Sequence, residues 1–196
     1  AGFSALVVTL DTPVQPVSRR VLDAGFVMPV EGRPGSLARY TSPPRRELAP
    51  SDSVVFQGLM ADAPTWADMQ WLLANTRLPV LAKGVVHPAD VQRLRDLGVA
   101  GFVVSGHGGR ALDELPAPLD LLPAVRAAAG EDATVILDGG VRSGVDAFKA
   151  LALGADAVLV GRPYVYGLAA AGASGVAHVV QLLRAELEVA MALTGC

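Results

Sequence analysis

The chain has 196 residues, about half of them apolar, and a formal net charge of −3, a globular composition without the basic block that nucleic-acid binding needs. Its apolar runs are of strand length and are broken by Gly, Asp and Arg, so none reads as membrane-spanning, and no signal peptide opens the chain. One cysteine, Cys196, and three scattered histidines exclude an internal disulfide, argue against a metal site and fit a reducing, cytoplasmic setting.

The first apolar run, residues 5–10 (ALVVTL), ends on Asp11. Four more follow: 78–82 (LPVLA), 101–105 (GFVVS), 134–137 (TVIL) and 157–160 (AVLV). They are rich in β-branched residues and continuous rather than alternating, as strands buried on both faces should be. Helical patterns fill the intervals at 65–75, 88–97, 119–129 and 144–153, and a last one runs over 175–193. Pro88 stands in the first turn of one helix and Thr65 at the cap position of another. Strands alternating with helices predict a parallel sheet. Residues 27–62, rich in Pro, Arg, Ser and Gly, interrupt the rhythm and are expected to form a long mobile loop, too polar to anchor in a membrane.

Every strand ends on glycine or polar residues: Asp11, Lys83-Gly84, Ser105 to Arg110, Asp138 to Arg142, and Gly161-Arg162. A doubly wound sheet decorates only the strands at its switch point, whereas a (β/α)8 TIM barrel decorates all of them, so the barrel is favoured. Such a barrel needs eight strands and roughly 250 residues. Five strands therefore predict about five of eight βα units, an incomplete piece of a larger protein.

The strand ends carry the chemistry. In SGHGGR, residues 105–110, the glycines let backbone approach a planar or anionic ligand. His107 is the side chain type that exchanges a proton near neutral pH, and Arg110 offers a fork for a carboxylate. Lysine occurs only at Lys83 and Lys149, and Lys83 at a strand end calls for an anion or an electron-rich ring. DGGVRSG (138–144) and GRP (161–163) place glycines and Arg142 or Arg162 before helix N-termini, a phosphate-binding arrangement. Asp11 is placed to orient His107, although Asp before Thr-Pro is also a common turn initiator. His87 and His178 are read as structural, and Trp66 and Trp71, five apart, as packing residues.

The pieces VVTLDTP, TWADMQWL, LPVLAKGV, VSGHGGRALD, LDGGVRSGVDAFKALALGADAVLVGRP and ELEVAMALTGC, in this order, resemble the FMN-dependent α-hydroxy-acid oxidase and dehydrogenase family. The resemblance covers the C-terminal part of such a protein, from about the fourth barrel strand onwards. It implies that a 2-hydroxy acid is oxidised to a 2-oxo acid on FMN. His107 would be the base, with Asp11 as its partner, and Arg110 the carboxylate clamp. Lys83 would face the flavin ring, Thr9 and Ser105 would touch it, and Asp138, Gly140, Arg142, Gly161 and Arg162 would hold its ribityl chain and phosphate. Implied partners are the N-terminal half of the barrel, an oxygen, quinone or haem-protein acceptor, and further copies of the chain, with no membrane and no nucleic acid. The family's Gly-Arg-Arg-like turn falls on Pro16, Val17 and Ser18, and its Asn before the histidine on Gly106. Two other readings share the glycine-phosphate elements: an FMN barrel like type 2 isopentenyl diphosphate isomerase, and a non-catalytic barrel fragment.

Overall fold

A computed structural model of the chain describes residues 2–14, 18–29, 32, 35–37, 39–41 and 46–196. Two compact units result, one of Ala1–Thr12 with Pro64–Cys196 and the other of Pro13–Ala63. The first contains five parallel strands: β1 (Leu6–Thr9), β2 (Val80–Lys83), β3 (Gly101–Val104), β4 (Thr134–Asp138) and β5 (Ala157–Leu159). Their spatial order is the sequence order, β1-β2-β3-β4-β5. Parallel neighbours need right-handed crossovers, and an order that never reverses sends every crossover to the same face. No switch point exists, so the sheet is an arc of a (β/α)8 barrel, five consecutive units of it, as the strand ends predicted.

Burial confirms the single helical layer. Alternate strand residues (Val80 and Ala82, Phe102 and Val104, Val135 and Leu137) are at most 1 % exposed. They share one apolar cluster with Met69, Val91, Leu94, Leu122, Val125, Ala147 and Ala150 of the helices. Those helices are α2 (Trp66–Asn75), α3 (Pro88–Asp96), α4 (Pro118–Ala129) and α5 (Gly144–Ala152). Caps start three of them: Thr65 and Ser143 each form a reciprocal capping box, with Asp68 and Asp146, and His87 Nδ1 accepts from the Ala89 N–H. The hydrogen bonds from Thr65 hold the Asp68 carboxyl below its ordinary range. His87 is thus structural, as expected.

The last helix, α6 (Arg162–Thr194), begins well before the expected residue 175 and is interrupted at Ala171 and Gly172. A continuous helix would hold Gly167 and Gly175 about 12 Å apart. Here a Cβ on either glycine would strike the backbone of the other, so the two halves fold against each other. By length and composition α6 could cross a membrane, but its backbone turns back at the break. Trp66 packs against the core beneath the Arg93 guanidinium, 3.9 Å from its ring centre, whereas Trp71 is 65 % exposed and lies outside that core.

The second unit carries α1 (Arg19–Asp23), a short 3-10 turn at Gly35–Leu37 and a π-helical turn at Val54–Leu59 capped by the Ser53 hydroxyl. An Arg46–Asp62 ion pair at 2.9 Å ties two of its segments. The expected loop spans most of this unit. Pro16 and Val17, which fall on the family's substrate-arginine turn, lie outside the described residues, and Ser18 stands at the N-cap of α1.

Candidate active site

Strand alternation decides which side chains meet. Since Ala82, Val104 and Leu137 face the helices, Lys83, Ser105 and Asp138, one residue further along, must face the opposite side. Parallel register sets Val104 beside Leu137 and Thr9 beside Lys83, which brings these strand ends level. The three side chains do meet: Lys83 Nζ donates to Ser105 Oγ at 2.7 Å and pairs with Asp138 Oδ2 at 2.9 Å. Ser105 Oγ donates to Asp138 Oδ1 at 2.5 Å and accepts the His107 backbone N–H at 3.0 Å. A hydroxyl has one donor and two acceptor sites, so Ser105, the buried polar side chain among the core residues, is fully satisfied.

Beyond β3 the backbone turns left-handed for three residues: His107 at φ 53°, Gly108 at 64° and Gly109 at 77°. Two glycines adopt this freely; the histidine does so at a conformational cost. The turn brings His107 Nδ1 to 3.3 Å from Asp11 Oδ1 at the end of β1. A carboxylate accepts, so this contact keeps the proton on Nδ1 and leaves Nε2 as the basic nitrogen. Asp11 is 10 % exposed, and its other oxygen, Oδ2, is buried with no partner among the described residues. Gly84, at φ 88°, makes room for this carboxylate, because a Cβ there would fall directly on it.

A cleft of about 420 Å³ opens over these strand ends. Its walls include Lys83, His107, Arg110, Asp138, Gly140, Arg142, Gly161 and Arg162, eight of the eleven residues singled out from the sequence. Asp11 and Ser105 stand behind them as partners of His107 and Lys83. Thr9 is exposed on the edge strand and does not line the cleft. The backbone N–H of Arg110 bonds to the His107 carbonyl at 3.3 Å, which fixes the spacing of the two side chains.

The two glycine-arginine turns differ. Ser143 and Asp146 already cap α5: Asp146 Oδ2 accepts from the N–H groups of Arg142 and Ser143, both at 3.0 Å. Desolvation pushes the Asp146 carboxyl up, but these hydrogen bonds outweigh it and its pKa falls below the ordinary value. At the start of α5 the N–H groups of Arg142 and Ser143, expected to be free for a phosphate, are thus taken by Asp146. Helix α6 has no side-chain cap: Gly161, at φ −102° and ψ −93°, leaves its first turn open beside Arg162. Gly140 and Gly161 have no atom within 4 Å of a would-be Cβ, so a ligand reaches bare backbone at both. Among the described residues the Arg142 and Arg162 guanidinium groups make no hydrogen bond or ion pair, and no cluster of three metal-ligating side chains occurs.

Comparison with known proteins places these features in a family. The family described as FMN-dependent dehydrogenase matches residues 1–196. The L-lactate oxidase of Alicycliphilus denitrificans is 57 % identical over 196 residues, covering 100 % of this chain and 54 % of that protein. A peroxisomal (S)-2-hydroxy-acid oxidase of Oryza sativa is 42 % identical over 197 residues, covering 53 % of its own length. Among solved structures, mandelate oxidase with (S)-2-phenylpropionate superposes with a TM-score of 0.80 at 37 % identity, over 100 % of this chain and 52 % of that one. The chain spans about half the length of the relatives it matches.

Proposed function

The chain belongs to the FMN-dependent dehydrogenase family, and from that premise we propose that its cleft oxidises a small 2-hydroxy acid to the 2-oxo acid. The observation that carries the reading is that one cleft gathers an oriented histidine, a neighbouring arginine, a lysine and an open helix N-terminus with its own arginine.

The residues present fit FMN. Gly140 and Gly161 have space where side chains would stand, and the uncapped start of α6 with Arg142 and Arg162 suits a phosphate dianion. Lys83, held by Ser105 and Asp138, supplies a fixed positive charge for the ring. FMN, when bound, is the two-electron acceptor. Arg110 takes the substrate carboxylate and thereby turns the hydroxyl-bearing carbon toward His107. His107 Nε2 accepts one proton, and Asp11 steadies the imidazolium through Nδ1. The substrate becomes a 2-oxo acid by losing two electrons and two protons: His107 takes one proton, the electron pair and the other proton would pass to FMN, and dioxygen would be the final acceptor, as the name oxidase on the relatives indicates.

The edge strands β1 and β5 each have one neighbour, so three further βα units close the barrel and complete the flavin site. The test is to add FMN to the whole protein and then lactate, glycolate or mandelate without air. Bleaching of the flavin by one of them supports the reading, and saturable FMN binding with no bleaching by any 2-hydroxy acid overturns it.

A further inference from the structure

The loop that ends at Arg142 is held from behind by a residue far along the chain. Gly144, the first residue of α5, donates its N–H to Glu186 Oε2 on α6 at 2.7 Å. The approach is close enough that a Cβ on Gly144 would overlap the backbone of Leu183, Glu186 and Leu187. With Asp146 on the N–H groups of Arg142 and Ser143, three consecutive amides are fastened by two carboxylates. The segment leading into them, Gly139 to Val141, lines the cleft together with Arg142, and Gly139 and Gly140 adopt φ values of 92° and 82°. Such a glycine pair has little stiffness of its own, so its path depends on where its far end is tied.

We propose that Glu186 is a positioning residue for the phosphate end of the cleft: it ties the start of α5 to α6 and so sets the path of the Gly139–Arg142 loop. The inference rests on the FMN reading of this cleft. Charge and geometry make opposite demands here. A carboxylate near a bound dianion repels it, so loss of the charge alone strengthens binding, and only loss of the hydrogen bond weakens it.

The test compares Glu186→Ala and Glu186→Gln in the whole protein, titrated with FMN and with riboflavin, which lacks the phosphate. Glu186→Ala is expected to weaken FMN binding about fivefold, the size of a lost helix cap, and to leave riboflavin affinity unchanged. Glu186→Gln keeps an acceptor and is expected to bind FMN as tightly as the parent or more so. In flavin-free protein, amide hydrogen exchange at Arg142, Ser143 and Gly144 should quicken in the alanine variant alone. Equal losses for both flavins, or an unchanged ratio between them, overturn the role of Glu186. Parent protein that binds neither flavin overturns the FMN reading itself, and the proposal with it.

Discussion

At the N-terminal end of the sheet, Arg126 gives its donors to the protein. Its Nε bonds to the Gly154 carbonyl at 2.6 Å, Nη1 to the carbonyls of Gly130 and Ala133, and Nη2 to Asp156 at 2.6 Å. At the C-terminal end Arg142 and Arg162 line a cleft, and their guanidinium groups have no such partners among the described residues. The backbone shows the same contrast. Gly101, where β3 starts, is a glycine because a Cβ would stand 2.6 Å from the Thr134 carbonyl oxygen, so strand packing requires it. Gly140 and Gly161, past the ends of β4 and β5, have open space around them. The starts of β3, β4 and β5 are closed on themselves and stabilise the fold; the opposite end is left, among the described residues, with unused donors, a left-handed His107 and an Asp11 oxygen without a partner.

If that division holds, substitutions at one end act mainly on chemistry, and at the other on stability without chemistry. His107→Ala should show the largest effect, a fall of roughly 10³-fold in anaerobic flavin reduction with FMN still bound, followed by stopped-flow absorbance. Gly84→Ala tests the Asp11–His107 contact from behind. It should cost about 10- to 100-fold in kcat, and much less when Asp11→Asn is already present, because both changes remove the same support. Equal losses in both backgrounds would mean that Gly84 acts elsewhere.

At the opposite end, Arg126→Met leaves three carbonyl acceptors short of a donor in a half-buried position. A loss of about 2–3 kcal/mol in denaturant unfolding is expected, with FMN affinity unchanged. A change in FMN affinity would break the division. The smallest effect concerns Asp156. The N–H of Val135 is the main cause that holds its carboxyl below the ordinary range; burial opposes this, and Arg126 adds to the lowering. A carboxyl depressed in the folded state contributes stability above its unfolded pKa and loses it as pH falls through the folded value. Stability should therefore decline below about pH 4, and Asp156→Asn should flatten that acid limb. The carboxylate is half exposed, so solvent screening keeps the difference small.

The same division explains what could be read from the chain in advance. Parallel strands buried on both faces leave continuous β-branched runs, so all five strands were visible to within two residues at each end. The decorated strand ends named eight of the residues that line the cleft. Contacts between distant segments have no local signature. Ser143 and Asp146 form an S-x-x-D cap that the sequence does display, yet the turn reads equally well as an open phosphate loop. Glu186 lies 42 residues from Gly144 and looks like any acidic residue on an amphipathic helix. The first half of α6 lies outside the expected helix for another reason: Gly167 and Gly175 are glycines because two helical segments touch there, a long-range contact that the local pattern does not carry.

The central claim is that the strand-end cleft binds FMN and that His107 makes a bound 2-hydroxy acid reactive toward it. The most direct measurement is the anaerobic visible spectrum of the FMN-loaded whole protein during titration with L-lactate, run beside His107→Ala. The account predicts that the parent protein bleaches while the variant holds its flavin and stays yellow. Equal bleaching of both, or a parent protein that takes up no FMN, would contradict it.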